Sequence, residues 1–281
     1  MRQSVKSLVA VAALMWLQAS FALGQEGAAR EAAVKSRMAL MQATVAGYDF
    51  SSDELKADPS GTFVPKPLLR YSDATRDLMD AKASGLVDAG VWRLGKEGRP
   101  TALVVLEIYL SAEGKGTLAH EFVSLSEEKF SLTHPQHSVA WEASGTDLEL
   151  ARITADRPPA RSAPLRLTQM RSLAHRFTAK ETINDNVIKC RLLPQPLTRY
   201  ESETNGILDG AIFAFANGTN PEIGVVLEAD KESWKYGVVR LGAAKATVDL
   251  DGREVASFPF FGDYGRRDGT YTSTSHAVEL P

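Results

Sequence analysis

The chain has a single cysteine, Cys190, so it cannot form an internal disulfide. The neighbours Lys189 and Arg191 lie on a predicted strand and would point to the face opposite Cys190, which predicts a buried strand residue rather than a reactive thiol. There is no Gly-x-Ser-x-Gly elbow. Lys96 ends a stretch like the start of a phosphate loop, but Glu97 follows where that loop needs Ser or Thr. These features argue against nucleophilic and phosphate-binding chemistry.

The chain also has little excess charge, with a formal net charge of −3. Arg2 and Lys6 lie in the predicted leader, so the rest of the chain has 30 basic and 35 acidic residues. A nucleic-acid partner would need a basic face, so none is predicted. Apolar residues make up 44% of the chain and charged residues 24%, which is ordinary for a globular protein large enough to build a core.

Histidines are few, and their spacing does not indicate a metal site. His134 and His137 are three apart, but on a predicted loop. His120 precedes Glu121 but lacks the second histidine of a zinc-protease helix, and His175 lies near arginines. A metal site needs three or four convergent ligands, so neither a metal nor another cofactor is predicted.

Long hydrophobic runs are absent beyond the N-terminus. Leu8–Phe21 is an apolar run of 14 residues, shorter than the ~20 that span a bilayer. Two basic residues precede the run, and small residues follow it, with Gly24 as the predicted cleavage point and Ala22 as the alternative. The first 24 residues are therefore predicted to be a signal peptide. We expect an exported chain, periplasmic or extracellular, that is soluble and not stably inserted in a membrane after cleavage.

The strongest pattern in the sequence is an internal repeat. Pro67–Tyr71 returns as Pro196–Tyr200, and Val104–Glu107 returns as Val225–Glu228. The offset is 129 residues for the first pair and 121 for the second, which places one eight-residue insertion within Arg76–Asp88. A constant offset on each side of one gap predicts a tandem duplication.

Each copy is predicted to begin with a helix, at Ala28–Ala46 and at Leu167–Phe177, because apolar residues recur every three or four positions. Apolar runs separated by short turns follow in both copies and predict antiparallel strands. The proline-rich stretch Asp156–Pro164 would separate repeat 1, residues 25–155, from repeat 2, residues 156–281, which includes an aromatic tail. The predicted fold is α+β, with two helix-plus-meander repeats. Their sheets would pack on the helices or join into one pseudo-symmetric sheet or sandwich.

Charged residues recur at matched positions of the two copies. Arg70 and Glu107 correspond to Arg199 and Glu228, and all four adjoin apolar runs. A guanidinium and a carboxylate can pair bidentately and become partly buried. We predict a structural ion pair in each copy, Arg70 with Glu107 and Arg199 with Glu228. The alternative is a ligand site or a catalytic pair.

Aromatic residues are the candidates for a ligand surface. Trp92 matches Phe213 between the copies, which predicts a core position. Trp141 and Trp234 have no such match, and the aromatic residues could form a platform for a sugar, although packing is the alternative. The candidates taken forward are Trp141, Trp234, Tyr264 and Tyr271.

Several short strings together resemble a known group of proteins. They are Arg70-Tyr71-Ser72-Asp73, Trp92, Gly98-Arg99-Pro100, Leu106-Glu107, His120-Glu121-Phe122, Ser124-Leu125-Ser126, Arg191-Leu192-Leu193-Pro194, Arg199-Tyr200 and Asn217-Gly218-Thr219-Asn220-Pro221-Glu222. This set resembles a family of uncharacterised secreted proteins of planctomycete-type bacteria, over roughly Met41 to Leu250. The resemblance implies export, and it implies no activity and no catalytic residue.

Together these observations predict an exported protein that binds a ligand or plays a structural role, without catalytic residues of its own. The alternative is an extracytoplasmic hydrolase with a carboxylate acid–base pair in the cleft between the repeats. A deep pocket holding two carboxylates would favour the hydrolase, whereas paired charges and a shallow surface would favour the binding or structural protein. The ligand and the partner are not predicted.

Overall fold

A computed structural model describes residues 27–28, 30–56, 60–73, 85–137, 139–154 and 157–280. Strands account for 50% of the residues and helices for 14%, so the protein is β-rich and the predicted α+β class is wrong. Two helices do form where the apolar spacing predicted them, but each covers only part of one face of a large sheet. The predicted signal peptide lies outside the described residues, as does most of the insertion.

The first half begins with helix α1, residues 30–46, and eight strands follow it among the described residues. These strands are β1 (Asp49–Ser51), β2 (Leu69–Asp73), β3 (Gly85–Leu94), β4 (Ala102–Leu110), β5 (Gly116–Ser124), β6 (Phe130–His134), β7 (Val139–Ala143) and β8 (Ala151–Ile153). Among the residues that the structure describes, no helix has the length and apolar character needed to cross a membrane.

The second half begins with helix α2, Ala163–Ala174, which has Pro164 in its first turn, where proline is tolerated. Its strands are β9 (Phe177–Ile183), β10 (Asn186–Leu192), β11 (Thr198–Ser202), β12 (Ile207–Asn217), β13 (Asn220–Ala229), β14 (Trp234–Arg240), β15 (Lys245–Leu250), β16 (Arg253–Phe258) and β17 (Tyr271–Val278). Gly218 and Gly252 have positive φ angles, as the predicted tight turns at these glycines require. Phe177 opens a strand rather than ending the helix, which corrects the predicted helix boundary.

The strands form three sheets. The first large sheet has the order β17-β5-β4-β3-β2, and a small sheet has the order β1-β6-β7. The second large sheet has the order β16-β15-β9-β10-β12-β13-β14-β8, with β11 also paired to β12. The central pairs of both large sheets are antiparallel, as expected from the short connections.

The two halves repeat the same strand pairing. Phe50 of β1 is paired with Leu132 of β6, and Ala179 of β9 is paired with Val248 of β15, at offsets of 129 and 116 residues. The β3–β4 and β12–β13 hairpins correspond at the offset of 121 found in the sequence. The small sheet of the first half therefore has its counterpart in strands β9, β15 and β16, which curl away from the second large sheet.

Each half contributes its last strand to the sheet of the other half. Strand β8 pairs with β14, and strand β17 pairs with β5 along its whole length. Ile153 of β8 lies opposite Trp234, and His276 of β17 lies opposite Leu118; Leu118 and Trp234 are equivalent at the offset of 116, so Ile153 and His276 occupy equivalent positions as well. This exchange interlocks the halves, because each large sheet includes a strand from the other half.

Three apolar clusters fill the spaces between the layers. Between the large sheets, Val91 and Val105 belong to the same cluster as Ile212 and Val226. The outer face of the first sheet packs against α1 and the small sheet, and the outer face of the second packs against α2 and the curled strands. Because both faces of the central strands are covered, β13 is buried at every position. This explains why these strands are continuous apolar runs rather than alternating patterns.

Candidate functional site: an acidic and aromatic group at the interface of the halves

The duplicated arginines make the same contact in both halves. Arg70 donates from Nε to Asp88 Oδ1 at 2.8 Å and from Nη2 to Oδ2 at 2.5 Å. Arg199 donates in the same way to Asp209, at 2.8 and 2.5 Å. Both are two-point contacts between a guanidinium and a buried carboxylate, which combine charge with fixed geometry.

A second arginine from each helix reaches the same carboxylate. Arg37 of α1 donates to Asp88 at 3.3 Å, and Arg166 of α2 donates to Asp209 at 2.7 Å. Each aspartate therefore links a helix to the outer face of its sheet. Because Asp88 and Asp209 have the same partners, the insertion in the first half must precede Asp88, which resolves an ambiguity left by the sequence.

The predicted pairing of these arginines with Glu107 and Glu228 is corrected by the strand geometry. Glu107 lies opposite Ala89, the residue after Asp88, and consecutive strand residues point to opposite faces. The two glutamates therefore point inward, where each accepts a bond from a buried tyrosine: Tyr71 to Glu107 at 2.9 Å and Tyr200 to Glu228 at 2.7 Å.

The halves differ in the second partner of the inward glutamate. Arg99 of the first half donates to both oxygens of Glu228, at 2.8 and 2.9 Å, and so connects the halves with an ion pair. The residue that corresponds to Arg99 is Asn220, which has no charge. Glu107 instead accepts a bond of 2.5 Å from Tyr109. The duplicated glutamates therefore have different electrostatic surroundings.

Two more carboxylates approach Glu107 on this side of the interface. Burial raises the pKa of Glu121 well above its usual range, and the negative charges of Glu107 and Glu222 raise it further, while Arg240 opposes them. Strand pairing places Gly237 at the position of Glu121 in the other half. This acidic group is therefore specific to one side of the molecule.

Arg240 is held by carbonyl groups and aromatic rings. Its Nε donates to the carbonyl of Gly242 at 3.0 Å, and Nη2 donates to that of Ala243 at 2.8 Å. The guanidinium carbon lies 4.5 Å from the ring centroid of Tyr271 and 5.7 Å from that of Phe261. Burial lowers the pKa of Arg240. The side chain is thus fixed as a rigid cation beside the carboxylates.

The tail between β16 and β17 adds an exposed aromatic pair to this region. Phe260 is 61% exposed and Tyr264 is 59% exposed, with ring centroids 6.4 Å apart. Phe261 anchors the segment, since its N–H donates to Ala243 and its ring packs 4.9 Å from that of Tyr271. We call Glu107, Glu121, Glu222, Arg240, Phe260 and Tyr264 the acidic–aromatic site.

The predicted aromatic candidates divide between core and surface. Trp141 and Trp234 are fully buried, so their ring faces are closed to a ligand, which corrects the expectation for both. The indole N–H of Trp141 donates to the carbonyl of Gly269 at 2.9 Å and so positions the tail. Tyr271 is buried under that tail, and only Tyr264 offers an open face. Sequence reasoning missed Phe260, although a run of aromatics around Pro259 could have indicated it.

A surface depression of about 560 Å³ lies elsewhere, around the turn between β13 and β14. Its lining residues are polar or charged apart from one glycine: Arg152, Gly206, Asp230, Lys231, Glu232, Ser233 and Lys235. The carboxylate of Asp230 accepts bonds from the N–H groups of Glu232 and Ser233, which lower its pKa. This carboxylate stabilises a turn. Within the described ranges, no three His, Cys, Asp or Glu side chains are arranged to hold a metal ion.

A comparison of the chain with protein-family models, with curated proteins and with solved structures finds no match. The resemblance to a family of secreted proteins therefore stays a prediction.

Proposed function

We propose that this chain is an exported, non-catalytic binding protein, built from a duplicated β-rich unit, and that it binds a carbohydrate at the acidic–aromatic site. The observation that carries the proposal is the exposed pair Phe260 and Tyr264, held on an anchored tail beside a fixed cation and several carboxylates.

The duplication supports this choice of site. The arginine–aspartate contacts occur in both halves and attach helix to sheet, so the fold itself requires them. Glu121 and Arg240, by contrast, come from different halves, and the strand register places Gly237 and Ser124 at their equivalent positions. A group that the scaffold can do without, and that concentrates charge at an interface, is better explained by a ligand than by stability.

The chemistry of the site suits a sugar. Aromatic rings offer an apolar face to the C–H groups of a pyranose, while the half-buried carboxyl of Glu121, whose charge reaches Tyr264, can bond to its hydroxyls. With its pKa raised, Glu121 stays protonated above the usual range and can donate as well as accept. An open, rigid aromatic surface with directional polar groups fits a polysaccharide chain lying across it.

Affinity electrophoresis in gels that contain soluble polysaccharides tests the proposal. We expect at least one polysaccharide to retard the wild-type protein and the double variant Phe260→Ser, Tyr264→Ser to migrate freely. Val187→Ser is the matched control, since Val187 is 67% exposed on β10. Equal retardation of the double variant would refute the site, and no retardation across neutral and acidic plant, bacterial and algal polysaccharides would refute the ligand class.

The hydrolase is the second candidate, and the raised pKa of Glu121 is the observation that favours it, because a general acid must be protonated near neutral pH. Glu107 would be its partner, but that carboxylate is buried and accepts bonds from two tyrosines. Release of reducing ends from a bound polysaccharide, lost in Glu121→Gln, would establish the hydrolase. Binding without release would favour the binding protein.

A further inference from the structure

Four of the five histidines of the chain lie together on the outer side of the first sheet. They are His120 on β5, His134 at the end of β6, His137 in the following turn and His276 on β17. Ring centroids are 4.9 Å apart for His120 and His276, 4.3 Å for His137 and His276, and 4.2 Å for His134 and His137. We call these four residues and Tyr48 the histidine cluster.

Hydrogen bonds connect the rings of the cluster. The hydroxyl of Tyr48 shares a hydrogen bond with Nδ1 of His120, and Nε2 of His120 shares another with Nδ1 of His276 at 3.2 Å. Which atom donates in each of these two bonds depends on the tautomers of the rings. The backbone N–H of Gln136 donates to Nδ1 of His134, also at 3.2 Å. An imidazolium has no acceptor nitrogen, so protonation of His134 removes its bond from Gln136, and His120 and His276 cannot keep their shared bond when both are protonated.

The other half shows that the fold does not need these side chains. Strand register places Phe177 at the position of Tyr48, Tyr236 at His120, Leu250 at His134 and Ile153 at His276. The rings of Phe177 and Tyr236 pack 5.4 Å apart there, among apolar neighbours. The same part of the scaffold is thus filled by apolar and aromatic residues in one half and mainly by histidines in the other. The histidines therefore serve something besides packing.

We propose that the histidine cluster is an acid-sensitive latch that holds β17 and the β1-β6-β7 sheet against β5 at neutral pH and releases them when its imidazoles take up protons. The cluster joins these three parts of the molecule at one point. Among the described residues, the charged groups that act on the imidazoles are the imidazoles themselves and Asp49; a backbone hydrogen bond with Thr44 and the charge of Asp49 both favour protonation of His134. This inference is independent of the carbohydrate site.

The direction of the pH effect follows from burial. Burial lowers the pKa of His120 to about 3, and repulsion from the other three imidazoles contributes. The pKa values of His134, His137 and His276 are lowered as well, chiefly by burial. A released imidazole titrates near ~6.5, so the latch is fully stable above that pH and weakens as the pH falls toward 3. For His120 alone, the release equilibrium shifts roughly 90-fold between pH 7.5 and 4.5.

Hydrogen exchange at pH 7.5 and 4.5, corrected for intrinsic rates, tests the latch. In the wild type we expect protection of β17 and β6–β7 to fall by about 90-fold or more at the lower pH. The variant His120→Tyr, His134→Leu, His276→Ile introduces the residues of the other half and should lose this pH response. His175→Tyr changes the one histidine outside the cluster and should keep it.

A second variant covers failure of the triple variant to fold. His276→Ile alone changes a half-buried position and should reduce the acid response, because it removes one imidazole and its repulsion on His120. An unchanged acid response in this variant would overturn the latch, as would protection in the wild type that does not depend on pH. Zinc binding at pH 7.5 by the wild type that is lost in the triple variant would overturn the latch in favour of a metal site.

Discussion

Replacing the buried aspartates with asparagine should destabilise the two halves unequally. Asp209 accepts bonds from Arg166 and Arg199, and Asp88 accepts the equivalent bonds from Arg37 and Arg70. Both aspartate side chains are only 4% exposed. Asparagine keeps the shape but removes the charge, so two guanidiniums lose their counter-charge in each case. The difference lies in how well water reaches those guanidiniums.

The substitution in the second half, Asp209→Asn, should cost more unfolding free energy than Asp88→Asn. Arg166 is 7% exposed and lies 2.7 Å from Asp209, whereas Arg37 is 19% exposed and lies 3.3 Å from Asp88. Breaking a buried pair costs ~3–5 kcal/mol, and better hydration of the remaining charge lowers the cost. We expect Asp209→Asn to cost about 3 kcal/mol of unfolding free energy and Asp88→Asn about half as much. The larger loss is a substantial part of the ~5–15 kcal/mol typical of a domain.

Urea unfolding at pH 7.5, followed by circular dichroism, measures both losses. Asp251→Asn is the matched control, because Asp251 pairs with Arg176 at the surface and its positive φ suits asparagine. Its unfolding midpoint should stay at the wild-type value. A loss for Asp88→Asn equal to or greater than that for Asp209→Asn would refute the argument from solvent access.

Three further predictions concern the interface of the halves and its edge. Glu121→Gln should reduce the loss of stability at high pH. A carboxyl whose pKa is raised in the folded state stabilises that state fully below the unfolded pKa of about 4.5, and this stabilisation is lost as the pH rises through the folded pKa. The unfolding midpoints of the variant at pH 5 and pH 9 should therefore differ less than those of the wild type. Arg99→Lys cannot make the two-point contact with Glu228 and should lower the melting temperature more than Arg253→Lys, an exposed control on β16. Trp141→Phe removes the hydrogen bond to Gly269, which should cost about 1 kcal/mol of unfolding free energy. The substitution should increase the rate of hydrogen exchange more in the tail than in β12.

Local pattern predicted many of the elements. The apolar run from Thr101 to Leu110 became β4, and the glycines at 218 and 252 mark real hairpins. The hairpin between β9 and β10 was missed, because its turn residues Asn184 and Asp185 contain no glycine, although both adopt positive φ. Strand β17 was missed because serine and threonine alternate along it, and only its first three residues are buried.

Local sequence patterns could not predict the fold class or the side-chain groups of the two sites. Strand exchange pairs β17 with β5, segments separated by about 150 residues, and no periodicity within either one indicates the other. Glu121 and Arg240 act on each other across a similar distance in sequence. The motif His134-x-x-His137 was visible, but its partners His120 and His276 come from two other strands. The repeat indicated which residues the scaffold needs, and the structure identified the contacts that it repeats.

Strand exchange also explains why the acidic–aromatic site lies on one side only. Each exchanged strand is reached by a segment that crosses the interface. In one crossing, Leu148 packs over Gly237 so closely that its Cδ1 lies 2.3 Å from where a Cβ would stand, and this end of the core is closed by apolar contact. At the equivalent point of the other crossing, Tyr271 lies beside Glu121. A glycine at position 121 would leave room for a leucine, and apolar contact would then close the core, whereas the glutamate keeps this position polar beside the aromatic tail.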